Sequence, residues 1–375
     1  MNRKGRIVIV GGGLSGLISS ILLNREGFEV TVVEQKSYPF HRVCGEYVSN
    51  EVIPFLKSLD IDTEEFSPAR ISRLAISTAG GELFSTSLGL GGFAVSRYTL
   101  DHFIYQKASA AGVNFLCGRR ATDIQFAENS FSVYLEEGSL AADLVIGAYG
   151  KRSKLDQKLS RSFFYKRSPY IGVKYHIKTD FPPDLIQLDI FQGGYCGTVK
   201  IEADRYCLCY LSRREKLKQL KNIETLEKEV LFKNPCLKKR FSEAEFLFEK
   251  PEVINEISFE QKSLVEDHIL YCGDAAGMIS PLCGNGMAMA IHGAKILSDS
   301  IQKHPDFSIP ETRELLEKTY ESSWKKAFST RLMIGRKIQK VFYSTALSSF
   351  GIKTLKQFPS LSKYIIGLTH GNGFL

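Results

Sequence analysis

Gly11, Gly13 and Gly16, followed by Glu34, carry the most specific chemistry in this chain. Gly11 permits a tight turn. Gly13 lacks the Cβ that would hold a phosphate off the backbone, and Gly16 lets a helix pack on a strand. Free N–H groups and the positive dipole end at a helix N-terminus then face a pyrophosphate, and Glu34 is spaced to accept a hydrogen bond from a ribose hydroxyl. A second set lies far along the chain: Gly273-Asp274, Pro281 and Gly284-Asn285-Gly286-Met287. Asp274 suits a sugar-alcohol hydroxyl, and a helix beginning near Gly286 suits a ring edge that becomes anionic on reduction. Cys44 is the candidate reacting thiol, with a small buried cysteine as the bland alternative. His41 and His292 read as a loop and a packed helical histidine.

The elements that must position these residues surround them. Residues 7–10 form an apolar run, a helical stretch follows to Arg25, and a second apolar run, 30–33, ends at Glu34. That order is the dinucleotide-binding unit. Residues 270–272 read as a strand entering the second glycine region, and the helix after it reaches Ile301. Between the two lie a short helix (52–59), strand-like runs (74–77, 92–95), a helix opened by Arg97, and strands near 114–117, 121–126, 130–135 and 143–146. Runs at 171–177, 185–191, 195–201 and 205–211 predict an antiparallel sheet covering a ligand. A charged helix is expected over 223–233, and the C-terminal third reads as helical. The aromatics Phe163, Phe164, Tyr165, Tyr170 and Tyr175 are candidates for a cavity wall or for ordinary core.

The 375 residues suffice for one large or two modest domains. No apolar run reaches the roughly 18 residues of a membrane span. Arg3, Lys4 and Arg6 precede an apolar stretch, but glycines and serines interrupt it and no small-residue cleavage site follows before Glu34, which argues against a signal peptide. The eight cysteines are scattered without a CxxC pair, so reduced thiols in a cytoplasmic setting are expected. Metal-ligand clusters and nucleophile-elbow contexts are not found. The net charge of +8 is uneven: from Ser322 to Leu375 there is no Asp or Glu, while nine lysines and arginines occur there. A solvated helical face, an anionic membrane surface at the inner face, or an acidic redox partner would each use that charge; nucleic acid is disfavoured because no reader motif accompanies it.

The two glycine motifs, in this order and separation, resemble the flavoprotein monooxygenase and reductase superfamily typified by para-hydroxybenzoate hydroxylase. The resemblance implies that both hold FAD. A third family motif matches 143–153, with Tyr149 where the family usually has Asp; the departure leaves FAD binding in place and counts against NADPH as direct donor. Arg42-Val43-Cys44-Gly45, Arg97 with Leu100-Asp101, and 281–287 resemble the geranylgeranyl reductase branch, which implies that Cys44, Gly45 and Arg97 lie at the cofactor. That branch usually carries a Tyr/Trp/Phe-Pro signature on its substrate sheet, whereas the run here, 194–201, has neither Trp nor Pro. Halogenases of the superfamily carry a Trp-x-Trp motif; the single tryptophan is Trp324.

The expected fold is an α/β, Rossmann-type FAD-binding domain (1–75, 97–165, 262–305) interleaved with an antiparallel β-sheet substrate domain (76–96, 166–261), then a basic helical C-terminal region (306–375). The cofactor-binding set is Gly11, Gly13, Leu14, Ser15, Gly16, Glu34, Gln35, Arg42, Cys44, Gly45, Arg97, Ala121, Gly147, Gly273, Asp274, Pro281, Gly284, Asn285, Gly286 and Met287. The expected activity is reduction of unsaturated bonds in a hydrophobic prenyl- or polyketide-like substrate. The alternatives are flavin-dependent hydroxylation of an apolar or aromatic substrate, and a non-catalytic flavin-bound partner protein.

Overall fold

The computed structural model describes residues 4–166, 168–342 and 345–375, the side chains of 345, 346, 359 and 363 apart. The first apolar run forms the strand Arg6–Val10 at the centre of a six-stranded sheet. It pairs in parallel with Glu29–Glu34 on one side and Leu144–Gly147 on the other. Asn114–Cys117 and Ile269–Tyr271 extend the two flanks, also in parallel. Parallel strands covered on both faces read as continuous apolar runs, which is why 7–10, 30–33 and 144–146 lack alternation. One face carries the helices Leu14–Arg25, Arg97–Ala110 and Gly286–Lys303, which pack together. The other meets a three-stranded antiparallel sheet, Ala121–Ala127, Ser130–Leu135 and Ser139–Ala142.

The four runs between 170 and 213 form antiparallel neighbours: Tyr170–Lys178, Tyr206–Arg213, Gly194–Lys200 and Leu185–Phe191. This sheet continues through Ala69–Ser77, parallel to Leu185–Phe191, then Leu83–Ala94 and Tyr47–Ser49. It therefore takes up strands that begin at residues 47 and 69, ahead of position 76. Composition shows that a run is a strand but not which sheet its register joins. Its outer face packs Tyr175, Phe191, Leu208 and Tyr210 against Leu226 and Leu237 of two short helices. These, Ile223–Glu229 and Pro235–Glu243, replace the single helix expected over 223–233: Val230 leaves helical geometry, and the Asn234 side chain caps the second helix by accepting from the N–H groups of Cys236 and Leu237.

Behind the sheets runs the helix Pro310–Phe342, which buries Leu316, Tyr320, Trp324, Phe328 and Leu332. This i, i+4 stripe enters the main core, and the Tyr320 hydroxyl donates to the Tyr271 carbonyl at 2.5 Å. The helices Thr345–Gln357 and Pro359–Thr369 then fold over the inner face of the large sheet, where Ile352 and Leu355 meet Leu188, Ile190 and Tyr195. Among the described residues no helix is long and apolar enough to cross a membrane. All eight cysteines are free thiols.

Candidate functional site

The first glycine turn is built as its spacing requires. Gly11 takes φ +111°, and a Cβ there would strike the Ala148 carbonyl; one on Gly16 would strike the Gly11 carbonyl oxygen. Both positions therefore accept only glycine. The helix that follows has no side-chain cap at Gly13, so its first N–H groups keep their donors. Beside Gly13 an added Cβ would meet only the Arg97 guanidinium, at 3.8 Å. Leu14 and Ser15 are buried in the first helical turn. Glu34 is 4 % exposed; its carboxylate accepts from the Gly12 N–H at 2.9 Å and the Lys36 N–H at 3.0 Å. Arg42 pairs with Glu34 at 3.2 Å and with Asp101 at 3.0 Å, and Asp101 takes Arg97 through both oxygens at 2.6 and 2.7 Å. Alternating charges thus link the acid at the strand end to the arginine facing the glycine turn. Gln35 is exposed next to Glu34, and Ala121 is buried at the first position of its strand.

The second glycine turn meets the first. Gly273 has φ +63°, and a Cβ on it would sit 2.5 Å from Ser15 Oγ. Next to it, Asp274 is half-buried, and desolvation raises its carboxyl pKa against the pull of Lys262, Arg97, Lys151 and Arg42. Lys262 donates to the Asp274 and Lys151 carbonyls at 2.6 and 2.7 Å. Burial pushes the Lys262 and Lys151 ammonium groups down to about 8. Gly284 bends the chain with φ +64°. Asn285 is fully buried, donates to the Thr369 carbonyl at 2.9 Å and leaves its Oδ1 without a partner. Gly286 opens the helix Gly286–Lys303 and is exposed, as is Pro281. Met287 Sδ lies 3.5 Å from Cys44 Sγ, and a Cβ on the neighbouring Gly45 would meet nothing within 4 Å. Burial raises the Cys44 thiol pKa, so it stays protonated at neutral pH.

Gly147, a member of the expected set, and its neighbour Tyr149 also serve the core. A Cβ on Gly147 would sit 2.5 Å from the Tyr271 ring, so its smallness makes room for that ring. Tyr149 donates to Asp156 at 3.0 Å and packs edge-on to Tyr271. The five aromatics do not gather into one wall. Tyr175 lies on the outer face of the sheet, donating to Glu227 at 2.9 Å; Phe163 is buried, and Tyr165 is 64 % exposed. Strand alternation sends Tyr175 to the face opposite Lys174 and His176.

A group that sequence reasoning missed lies beside Cys44. Glu46, Lys174 and His176 are buried together: Lys174 donates to one Glu46 oxygen, and His176 Nε2 lies 2.7 Å from the other. Burial would raise the Glu46 carboxyl, but the Lys174 charge and the hydrogen bond with His176 hold it down to about 2. Lys174 also donates to the Arg42 carbonyl at 3.1 Å, and Glu46 accepts the Arg97 N–H at 2.9 Å. His41 packs edge-on to His176 and face-on to Tyr98; burial lowers it to about 4, so its ring is neutral. The signal was present in the sequence: Lys174 and His176 sit two apart within the mostly apolar run 171–177, the mark of a polar stripe on one face. This stripe rivets the large sheet to the loop that carries Cys44.

The donor set fits FAD. An uncapped helix N-terminus, a backbone cradle at Gly13 and Gly45, cations around Asp274, and a second helix N-terminus at Gly286 run from the first turn to the second. Comparisons with known proteins agree. A family described as an FAD binding domain matches residues 4–304. A digeranylgeranylglycerophospholipid reductase of Methanothermobacter thermautotrophicus is 24% identical over 353 residues, 90% of this chain and 88% of the relative. A tryptophan 2-halogenase of Chondromyces crocatus is 23% identical over 318 residues, 79% of this chain and 61% of the relative. A flavoprotein/dehydrogenase from Cytophaga hutchinsonii superposes with TM-score 0.79 at 16% identity, covering 97% of this chain and 92% of its own, which shows the shared fold.

Proposed function

The chain belongs to the FAD binding domain family and is an FAD-dependent oxidoreductase, and from that premise we propose that it reduces unsaturated bonds of a hydrophobic, prenyl-like substrate. FAD, when bound, supplies hydride or electron transfer. The helix after Gly13 would hold the pyrophosphate, Glu34 the adenosine ribose, Asp274 the ribityl chain, and the helix at Gly286 the anionic edge of the reduced ring. The inner face of the large sheet, with Leu188, Ile190, Tyr195 and Leu211, is apolar and is closed from water by Ile352 and Leu355 of the C-terminal helix packed on it.

The observation that carries the reductive reading is the position of Cys44, whose Sγ lies 3.5 Å from Met287 Sδ at the start of the helix Gly286–Lys303 and whose thiol pKa burial raises. Saturating a carbon–carbon double bond requires a proton at one carbon as well as a hydride equivalent at the other. In this reading Cys44 Sγ–H gives that proton and is reprotonated before the next turnover. The long match to a digeranylgeranylglycerophospholipid reductase supports the same chemistry. Trp324 packs edge-on to Phe328 in the core, which speaks against a role in halogenation. The test is anaerobic incubation of the reduced enzyme with a polyprenylated glycerophospholipid, followed by mass analysis. Products gaining two hydrogens per double bond support reduction. Products that form only with oxygen and carry an added oxygen atom support hydroxylation instead.

A further inference from the structure

We propose that the outer face of the C-terminal helices Thr345–Gln357 and Pro359–Thr369 docks on the anionic surface of a lipid bilayer. These helices are two-sided. Inward, Ile352, Leu355 and Ile366 pack on the clusters of the large sheet, and Asn285 holds the Thr369 carbonyl. Outward, Phe350, Tyr364 and Phe358 are 72, 65 and 53 % exposed, with Leu361 beside them. A lone exposed ring is ordinary, but three within fifteen residues of chain (350–364) form a patch.

Charge identifies the occupant. Lys353 and Lys356 are exposed on the same helix as Phe350, Lys353 one turn after it, and Lys340 is exposed near the end of the preceding helix. No Asp or Glu occurs from Ser322 to Leu375, and of the eight cations there whose side chains are described only Lys325 and Arg331 enter ion pairs among the described residues, with Glu321 and Glu51. Exposed aromatic rings and lysines on a stretch of chain that carries no acid of its own suit the boundary between phosphate headgroups and acyl chains. A second copy of this chain would set like charges against one another across the interface. No described helix can span a membrane, so the patch lies on the bilayer rather than through it. Docking follows from exposure and charge alone; only the route of an apolar chain from bilayer to sheet, beneath these helices, rests on the proposed substrate.

The experiment uses the full-length, FAD-loaded protein and sedimentation with vesicles of phosphatidylcholine, with or without about one-third phosphatidylglycerol. Binding to the anionic vesicles should be roughly tenfold stronger than to the neutral ones and should weaken as salt rises. The triple variant Phe350→Ser, Phe358→Ser, Tyr364→Ser should keep its flavin and melting temperature and lose about tenfold in binding. Lys353→Glu with Lys356→Glu should weaken binding to anionic vesicles alone. No vesicle binding by the native protein, equal binding to both vesicle types, or unchanged binding by the triple variant would overturn the proposal. So would a solution dimer that the triple variant dissociates, which would give the face to a second copy. Sedimentation reads no turnover, so its failure and the failure of the reductase reading are seen separately.

Discussion

Replacing Gly13 by alanine separates cofactor binding from folding. The backbone there, φ −82° and ψ −177°, is one that alanine adopts without strain. The new methyl would meet only Arg97, at 3.8 Å. Stability should move by less than about 1 kcal/mol, because a stiffer unfolded chain offsets a weaker N-cap. A pyrophosphate drawn onto these N–H groups must approach where the methyl now stands. Losing one charge-assisted hydrogen bond, at about 1.5–3 kcal/mol, lowers FAD affinity roughly 10- to 100-fold. Gly16→Ala is the opposite control. Its methyl would collide with the Gly11 carbonyl, so the apoprotein itself should melt earlier. Titration of each apoprotein with FAD by flavin fluorescence, alongside thermal melts without FAD, reads both quantities. Native FAD affinity in Gly13→Ala would refute the assignment of the pyrophosphate to this turn.

Three further outcomes follow from the buried groups. Glu46→Gln leaves the Lys174 charge buried opposite a neutral amide and should destabilise by about 3–5 kcal/mol in denaturant melts. Glu46 titrates at about 2 when folded against 4.5 normally, so its contribution is whole above about pH 4.5 and is lost as pH falls through about 2; an equally steep acid loss in the variant would contradict this. His292 is stacked on Phe374 at 3.9 Å and lowered from 6.5 to about 4, which favours the neutral ring. Melting temperature should therefore drop as pH falls from 6.5 to 4, and His292→Gln should flatten that slope. Cys44→Ala should keep full flavin content yet slow anaerobic alkene reduction by about 100-fold; an unchanged rate would remove the thiol from the chemistry.

Local signals made much of this legible in the sequence. Glycines at 11 and 16 announce themselves because backbone geometry tolerates few substitutes, Gly13 and the acid at 34 by their spacing from them, and the folded chain puts the second glycine turn against the first, Gly273 on Ser15. The four strands of the 170–213 region and their antiparallel character were readable from apolar runs, while the pairing of the first with the last was not. Sheet membership was not: Tyr47–Ser49 and Ala69–Ser77 join the large sheet through pairings that no local pattern encodes. Glu46 was hidden because its partners, Lys174 and His176, arrive from a distant strand. The C-terminal region read as basic and helical with apolar residues at helical spacing, and its i, i+4 stripe from Leu316 to Leu332 enters the main core.

The most direct measurement is single-turnover absorbance of the reduced, FAD-loaded enzyme mixed with a polyprenylated glycerophospholipid under strict exclusion of oxygen. Return of the oxidised-flavin band in step with alkene loss is the predicted result. A flavin that stays reduced until oxygen is admitted, and then yields an oxygenated product, would contradict the assignment of this chain as a reductase.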